Sequence, residues 1–291
     1  MKEILVLSGK GGTGKTTVSL SLVKRFSSKI TADTDVDAAD MFIILEPDVK
    51  WRETFYSNGN AVIDYNKCNS CGLCMKSCRF NAISLNNVKK RIEIDESGCE
   101  GCGLCFHICP KGAVEIKETA AGEFFVSETG QGSFVHARLK PGADNSGRLV
   151  EKVKSRAKKE AETEGVDYII SDGPPGIGCP VISSVSGVDY AVIVTEPTLS
   201  GMHDLKRIKK LLDHFGVKHG VVINKADINP RIVSEIEKLC AEISVEVLEK
   251  INYSKCITDA MNKKKFACDE CPEFSAKMDS IYKKTVEMTA N

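Results

Sequence analysis

Gly9-Lys10-Gly11-Gly12-Thr13-Gly14-Lys15-Thr16 is the stretch that decides the fold. It satisfies G-x-x-x-x-G-K-[ST] at every position. Its glycines let successive backbone N–H groups curl around phosphate oxygens, and a helix beginning at the loop's end adds the positive end of its dipole. Lys15 is placed to reach the β- and γ-phosphates of a nucleotide, and the Thr16 hydroxyl to ligate Mg²⁺. The flanks supply the context that such a loop requires. Residues 3–8 are a short apolar run that reads as a buried strand. Val18, Leu22, Val23 and Phe26 recur at helical spacing over residues 16–26.

Further out the same alternation continues. A strand near Lys29–Asp33 runs into an acidic loop. Apolar runs at Asp167–Ser171, Tyr190–Thr195 and Gly220–Ile223 are bounded by Gly, Pro or Asp and read as strands. Helical patterns fall at Lys152–Glu164, Ser200–Phe215 and Pro230–Ile243. Alternating β and α elements imply an α/β fold with a mostly parallel, doubly wound sheet.

From about residue 61 to 118 the composition changes, and cysteine becomes dense. Cys68, Cys71, Cys74 and Cys78 form C-x-x-C-G-L-C-x-x-x-C, and Cys99, Cys102, Cys105 and Cys109 repeat it at an offset of 31 residues, followed by Pro110. Ala82–Ile83 in the first copy answers Ala113–Val114 in the second. Short β segments are expected at Arg91–Ile94 and Val114–Ile116. The pattern resembles the bacterial ferredoxins with two [4Fe–4S] clusters, in which the fourth Cys of each run ligates the other cluster. The resemblance implies cluster I on Cys68, Cys71, Cys74 and Cys109, and cluster II on Cys99, Cys102, Cys105 and Cys78. Four-Cys zinc sites are the alternative. Arg79 stands where the bacterial run has proline, a change near cluster II that bears on its potential.

Gly-Lys-Gly-Gly-x-Gly-Lys-Thr-Thr, ending at Thr17, resembles the deviant Walker-A ATPases of the MinD/ParA/Mrp and nitrogenase iron protein superfamily. The resemblance implies a P-loop ATPase that dimerises on ATP, with Lys10 crossing to the partner's nucleotide phosphates. Asp33-Thr34-Asp35 lies at the family's switch I, where Asp35 would position the attacking water or the magnesium shell. Asp172-Gly173-Pro174-Pro175-Gly176 looks like switch II. Asp172 takes the Walker-B role there, and Gly176 offers a backbone N–H to the γ-phosphate. Asn224 matches the base-contacting asparagine. Asn224-Lys225-Ala226-Asp227 also reads as N-K-x-D, the guanine motif of GTPases, so ATP is favoured while Asp227 leaves GTP open. The whole chain resembles MinD-superfamily P-loop proteins with an inserted ferredoxin domain, on Phe80-Asn81-Ala82-Ile83 and on His136–Arg148 with its Asp144-Asn145-Ser146-Gly147. The implied organisation is an ATPase domain in two parts, 1–60 and 119–291, interrupted by an α+β ferredoxin domain at 61–118.

Composition narrows the partners. The 291 residues carry 40 basic and 40 acidic side chains. That balance argues against bulk nucleic-acid binding, which leaves a basic excess. No apolar run approaches the roughly 18 residues of a transmembrane helix. Met-Lys-Glu leads at once into strand and loop, leaving no room for a secretory signal, so a cytoplasmic protein is expected. In that setting thirteen cysteines point to metal ligation rather than disulfides.

Five cysteines lie outside the repeat. Cys240 and Cys256 read as isolated core residues. Cys179, seven residues after Asp172, sits where the nitrogenase iron protein has a subunit-bridging ligand, though a buried thiol is the plainer reading. Cys268 and Cys271 form a C-x-x-C. It is a candidate third metal site shared across a dimer, a redox-active pair or a structural loop. The basic helix with His203, Lys206, Arg207, Lys209, Lys210 and His214 reads as a solvated face. The apolar face of Phe274, Met278, Ile281 and Tyr282 reads as domain packing rather than membrane binding, because its lysines are matched by acids. Three functions follow: an ATP-gated electron carrier, favoured by the conjunction of ATPase and clusters; a factor for assembling iron–sulfur or other metallocofactors; or a positioning ATPase. The partners expected are a second copy and a redox or assembly protein.

Overall fold

The computed structural model describes residues 1–143 and 146–290. Asp144 and Asn145, quoted above for the family resemblance, lie outside the described residues. The elements in chain order are β1 (Lys2–Ser8), α1 (Lys15–Arg25), β2 (Lys29–Asp33), α2 (Phe42–Leu45), β3 (Asp48–Ile63), α3 (Leu73–Ser77), β4 (Ile83–Asn86) and β5 (Arg91–Ile94). There follow α4 (Leu104–Ile108), β6 (Val114–Thr129), β7 (Gly132–Leu139), α5 (Ser146–Glu164), β8 (Tyr168–Pro175), α6 (Cys179–Val185) and β9 (Tyr190–Thr195). The last are α7 (Leu199–His214), β10 (Lys218–Asn224), α8 (Pro230–Glu242), β11 (Glu246–Ile251), α9 (Lys255–Asn262), α10 (Ala267–Glu270) and α11 (Pro272–Ala290).

Among the described residues nine strands form one sheet in the order β11-β10-β9-β1-β8-β2-β7-β6-β3. The pairs from β11 across to β7 are parallel. β6 and β7 are neighbours joined by two residues only, a connection that only an antiparallel pair can make. Two compact units result. One comprises Met1–Glu53, Phe124–Arg138 and Ser146–Asn291, and the other Thr54–Glu123 and Leu139–Asn145. Boundaries fall inside β3, β6 and β7, whose residues are divided between the two units.

The first unit is a three-layer α/β/α arrangement, and β1 shows why. Ile4 and Val6 face one core with Val18 and Leu22 of α1 and Met278 and Ile281 of α11. Leu5 and Leu7 face the other, with Leu205 and Ile208 of α7 and Ile236 of α8. Successive side chains of a strand alternate faces, so a strand apolar throughout is buried on both sides. Met278 and Ile281 are fully buried, so the apolar stripe of α11 is core. Among the described residues no helix is long and apolar enough to cross a membrane.

In the second unit the repeat builds a two-fold pattern. The helices α3 and α4 each open just after the glycine that follows the second cysteine of its run, Gly72 and Gly103, both left-handed at φ 75°. β4 pairs antiparallel with β5. The Asp64 N–H donates to the Ala113 carbonyl at 2.7 Å, and the Asp95 N–H to the Ala82 carbonyl at 2.8 Å. Both partners are offset by the repeat length of 31, so each copy closes on the other rather than on itself.

Candidate functional site

The glycine-rich loop leaves the carboxyl end of β1 and enters α1 at Lys15. Gly14 caps that helix in a left-handed conformation, φ 90°. A Cβ there would lie 2.3 Å from Asn224 Nδ2, so glycine is required by both backbone and space. Asn224 ends β10 and donates from Nδ2 to the Thr13 carbonyl at 2.7 Å. Lys225 follows and donates from Nζ to the Gly12 carbonyl at 2.9 Å. The loop is therefore braced from the side by two residues more than 200 positions away.

Beneath the loop lies a buried ionic cluster. Lys15 Nζ sits 2.6 Å from Asp172 Oδ2 and 3.3 Å from Asp35 Oδ2. Thr16 Oγ1 donates to Asp172 Oδ2 at 2.9 Å, and Ser19 Oγ to Asp172 Oδ1. Asp33 is fully buried and accepts the Asp35 N–H at 3.1 Å, which fixes the turn after β2. Burial works to lower the Lys15 pKa, but the charges of Asp172 and Asp35 outweigh it and hold the ammonium protonated. Burial pushes Asp33, Asp35 and Asp40 up, with Asp172 adding repulsion at each. Asp35 Oδ1 and Thr13 Oγ1 are buried without a hydrogen-bond partner among the described residues. Such atoms beside a phosphate-binding loop are suited to a ligand, ion or water.

The other expected residues are placed as follows. Gly176 adopts φ 90°, and its N–H donates to the Ser8 carbonyl at 2.8 Å. Lys10 extends from the loop to Glu196 and Ser200 of its own chain. Asp227 accepts the Tyr253 N–H at 2.6 Å. A cavity of about 340 Å³ adjoins the loop, lined by Gly12, Gly14, Thr17, Asn224 and Lys225 on one side and by Asn252–Ser254, Ile257, Met261 and Phe274 on the other. Sequence reasoning missed this second wall. It follows β11, a strand whose alternation is too weak to read, and its one local signal is the Asn-Tyr-Ser turn.

The cysteines of the second unit line two cavities. One is bordered by Cys68, Cys71, Cys74 and Cys109. The other is bordered by Cys78, Cys99, Cys102 and Cys105, and Cys74 lines both. Arg79 lines the second and Pro110 the first. Cys109 Sγ accepts the Ala113 N–H at 3.3 Å. Slight burial opposes the Cys109 thiolate, but backbone N–H groups outweigh it and lower the pKa. Among the described residues no three His, Cys, Asp or Glu side chains converge as they would on a single metal ion.

The expectation for Cys268 and Cys271 is corrected. Cys271 is disulfide-bonded to Cys256, so it is not free to pair with Cys268 as a metal ligand. The chain between α9 and α11 folds back and brings Cys256, read as an isolated core residue, beside Cys271. That approach depends on tertiary packing and has no sequence signal. Cys268 is a buried free thiol, Cys240 a buried one whose pKa burial pushes up to about 11, and Cys179 is exposed at the start of α6.

Comparison with known proteins agrees with this geometry. The profile of the CbiA family, the CobQ/CobB/MinD/ParA nucleotide binding domain, matches residues 4–267. An uncharacterized protein of Methanocaldococcus jannaschii is 32% identical over 289 residues, 98% of this chain and 96% of that one. The septum site-determining protein MinD of Pyrococcus horikoshii, solved with Mg-ADP, is similar with a TM-score of 0.57 at 18% identity, covering 98% of this chain and 95% of that one. The cell division ATPase MinD of Pyrococcus furiosus is similar with a TM-score of 0.58 at 18% identity, covering 99% of both chains. At that identity the likeness is one of fold, the α/β P-loop fold with a mostly parallel sheet.

Proposed function

Since the chain belongs to the CobQ/CobB/MinD/ParA nucleotide-binding family, we propose that it is a Mg²⁺-dependent ATPase whose cysteine-rich unit holds two [4Fe–4S] clusters. The buried cluster of Lys15, Thr16, Asp35 and Asp172 carries the ATPase reading. Lys15 would bind the β- and γ-phosphates. Thr16 and Asp172 would hold magnesium, which neutralises charge between those phosphates when bound. Asp35, with one oxygen unpartnered, is suited to orient the attacking water. Gly176 must release the Ser8 carbonyl before its N–H can serve a γ-phosphate. ATP is favoured over GTP because the phosphate loop and switch II resemble those of the ATPases; Asp227, the would-be guanine reader, gives one oxygen to the Tyr253 N–H.

The cluster reading rests on the two cysteine-lined cavities, whose crossed sets match the ferredoxin pattern. A cube offers four separate irons, one to each thiolate, so its ligands surround a cavity. When bound, such clusters supply one-electron redox chemistry. ATP-driven pairing of two copies, with Lys10 reaching the partner's nucleotide, completes the reading. The similar structures include two MinD proteins and a plasmid partition protein, which favours a positioning role over electron delivery or cofactor assembly.

The test is anaerobic purification, followed by calorimetry with Mg-ATP and Mg-GTP and by counting iron and acid-labile sulfide. ATP binding with phosphate release, and about eight iron and eight sulfide per chain, are expected. Tight GTP binding with none for ATP would overturn the nucleotide assignment. Stoichiometric zinc without sulfide would overturn the clusters.

A further inference from the structure

Glu196 follows β9 and stands between two lysines of the nucleotide site. One carboxylate oxygen pairs with Lys10 Nζ, and the other lies 3.1 Å from Lys225 Nζ. The Glu196 side chain is 15% exposed and that of Lys10 36%. Burial opposes the Glu196 charge, but hydrogen bonds from Lys10 and Lys225 outweigh it and lower the pKa. The backbone here has little room to move. Thr198 caps α7 by accepting the Gly201 N–H at 3.0 Å. A Cβ on Gly201 would come within 2.4 Å of the Glu196 carbonyl oxygen. The two lysines are held differently. Lys225 is also bonded to the Gly12 carbonyl and has a left-handed backbone, φ 56°. Among the described residues Lys10 has one further contact, Ser200 Oγ at 3.4 Å.

We propose that Glu196 is a positioning residue that keeps Lys10 on its own subunit and thereby sets how readily two copies join on ATP. The proposal rests on the ATP-driven pairing argued above. Lys10 cannot serve both the Glu196 carboxylate and a phosphate bound by a second copy. A triphosphate carries more charge and more acceptor oxygens than a carboxylate, so it can take the ammonium once it is presented. The exchange does not strand Glu196, because Lys225 stays with it. A half-buried carboxylate left with no cation would make the release of Lys10 costly. With Lys225 in place, Lys10 leaves at the cost of one partly exposed ion pair.

The experiment is sedimentation velocity over a range of protein concentrations, with Mg²⁺ and the non-hydrolysable imido analogue of ATP. It compares wild type, Glu196→Gln, Lys10→Ala and the double variant. The midpoint concentration for pairing is expected to fall about tenfold in Glu196→Gln, and not to fall when Glu196→Gln is added to Lys10→Ala. Should Glu196→Gln not fold, Glu196→Asp, one methylene shorter, carries the same expectation. An unchanged or raised midpoint overturns the proposal, as does an equal fall without Lys10. Pairing that needs Lys10 but ignores Glu196 sinks this proposal alone. If neither wild type nor Glu196→Gln pairs, the pairing reading falls with it.

Discussion

The Lys15 ammonium and the Asp172 carboxylate meet at 2.6 Å, both buried, and join the loop after β1 to β8. Asp33, Asp35 and Asp40 surround the pair, each pushed above the ordinary carboxylate range, chiefly by burial. Lys15 is thus the central cation of a carboxylate cluster. Removing one partner of a buried pair costs about 3–5 kcal/mol. In Lys15→Met the acids lose their counter-charge and their folded pKa values rise further. An acid raised in the fold contributes stability below its unfolded pKa, near 4, and loses it as pH rises. Lys15→Met is therefore expected to unfold at lower urea at pH 8 than at pH 5, by a wider margin than wild type. Equal margins in the two proteins would refute this. Nucleotide binding should be lost as well.

Asp35 should separate binding from turnover. Its Oδ2 faces Lys15 at 3.3 Å, while Oδ1 is buried and unpartnered. Asp35→Asn preserves shape and removes the charge that would orient water. ATP affinity should stay within a few-fold, and phosphate release should fall about 10²–10⁴-fold. Turnover near the wild-type rate would remove Asp35 from the mechanism.

His136 gives the fold a second pH dependence. Its ring stacks on Phe134 at 4.3 Å and on Phe125 at 4.8 Å, and Nε2 meets Ser127 Oγ at 3.0 Å. Burial, aided by the Arg138 charge, lowers its pKa to about 4. A base depressed in the fold contributes stability above its unfolded pKa, near 6.5, and loses it as pH falls toward 4. The loss over that window is on the order of 3 kcal/mol. Urea titrations should show this slope in wild type and a shallower one in His136→Phe. Identical slopes would assign the acid sensitivity elsewhere.

The thirteen cysteines contain one disulfide, Cys256–Cys271, and eleven thiols. Alkylation without reductant, followed by peptide mapping, should recover Cys256 and Cys271 linked and Cys268 alkylated once denatured. Cys256→Ser should cost up to about 3 kcal/mol, the value for a loop of this length. Recovery of both as free thiols would reject the bond.

Cys99→Ser tests the crossed ligand sets. Cys99 borders the cavity of Cys78, Cys102 and Cys105, not that of Cys68, Cys71 and Cys109. About half of the iron should be lost, with one cluster's spectrum retained. Loss of all iron with the fold intact would mean that the sites are not separable.

Some of this was legible in the residues and some was not, for physical reasons. The phosphate loop and the paired C-x-x-C runs are local. Their chemistry requires fixed residue types a few positions apart, and such spacing survives in a linear string. β1, β8, β9 and β10 were legible because strands buried on both faces carry continuous apolar runs. β3, β7, β11 and most of β6 were not. β3 carries Asp48, Lys50, Arg52 and Glu53, and hydrogen bonding to β6 at the sheet edge makes it a strand. The residues alone thus determined a P-loop α/β chain with a doubled cysteine motif. Tertiary structure alone decided that Lys10 and Lys225 share Glu196, that Cys256 reaches Cys271, and that residues 252–262 wall the cavity beside the loop. Each joins segments distant in the chain, and only the closure of the sheet and its helical layers makes them neighbours.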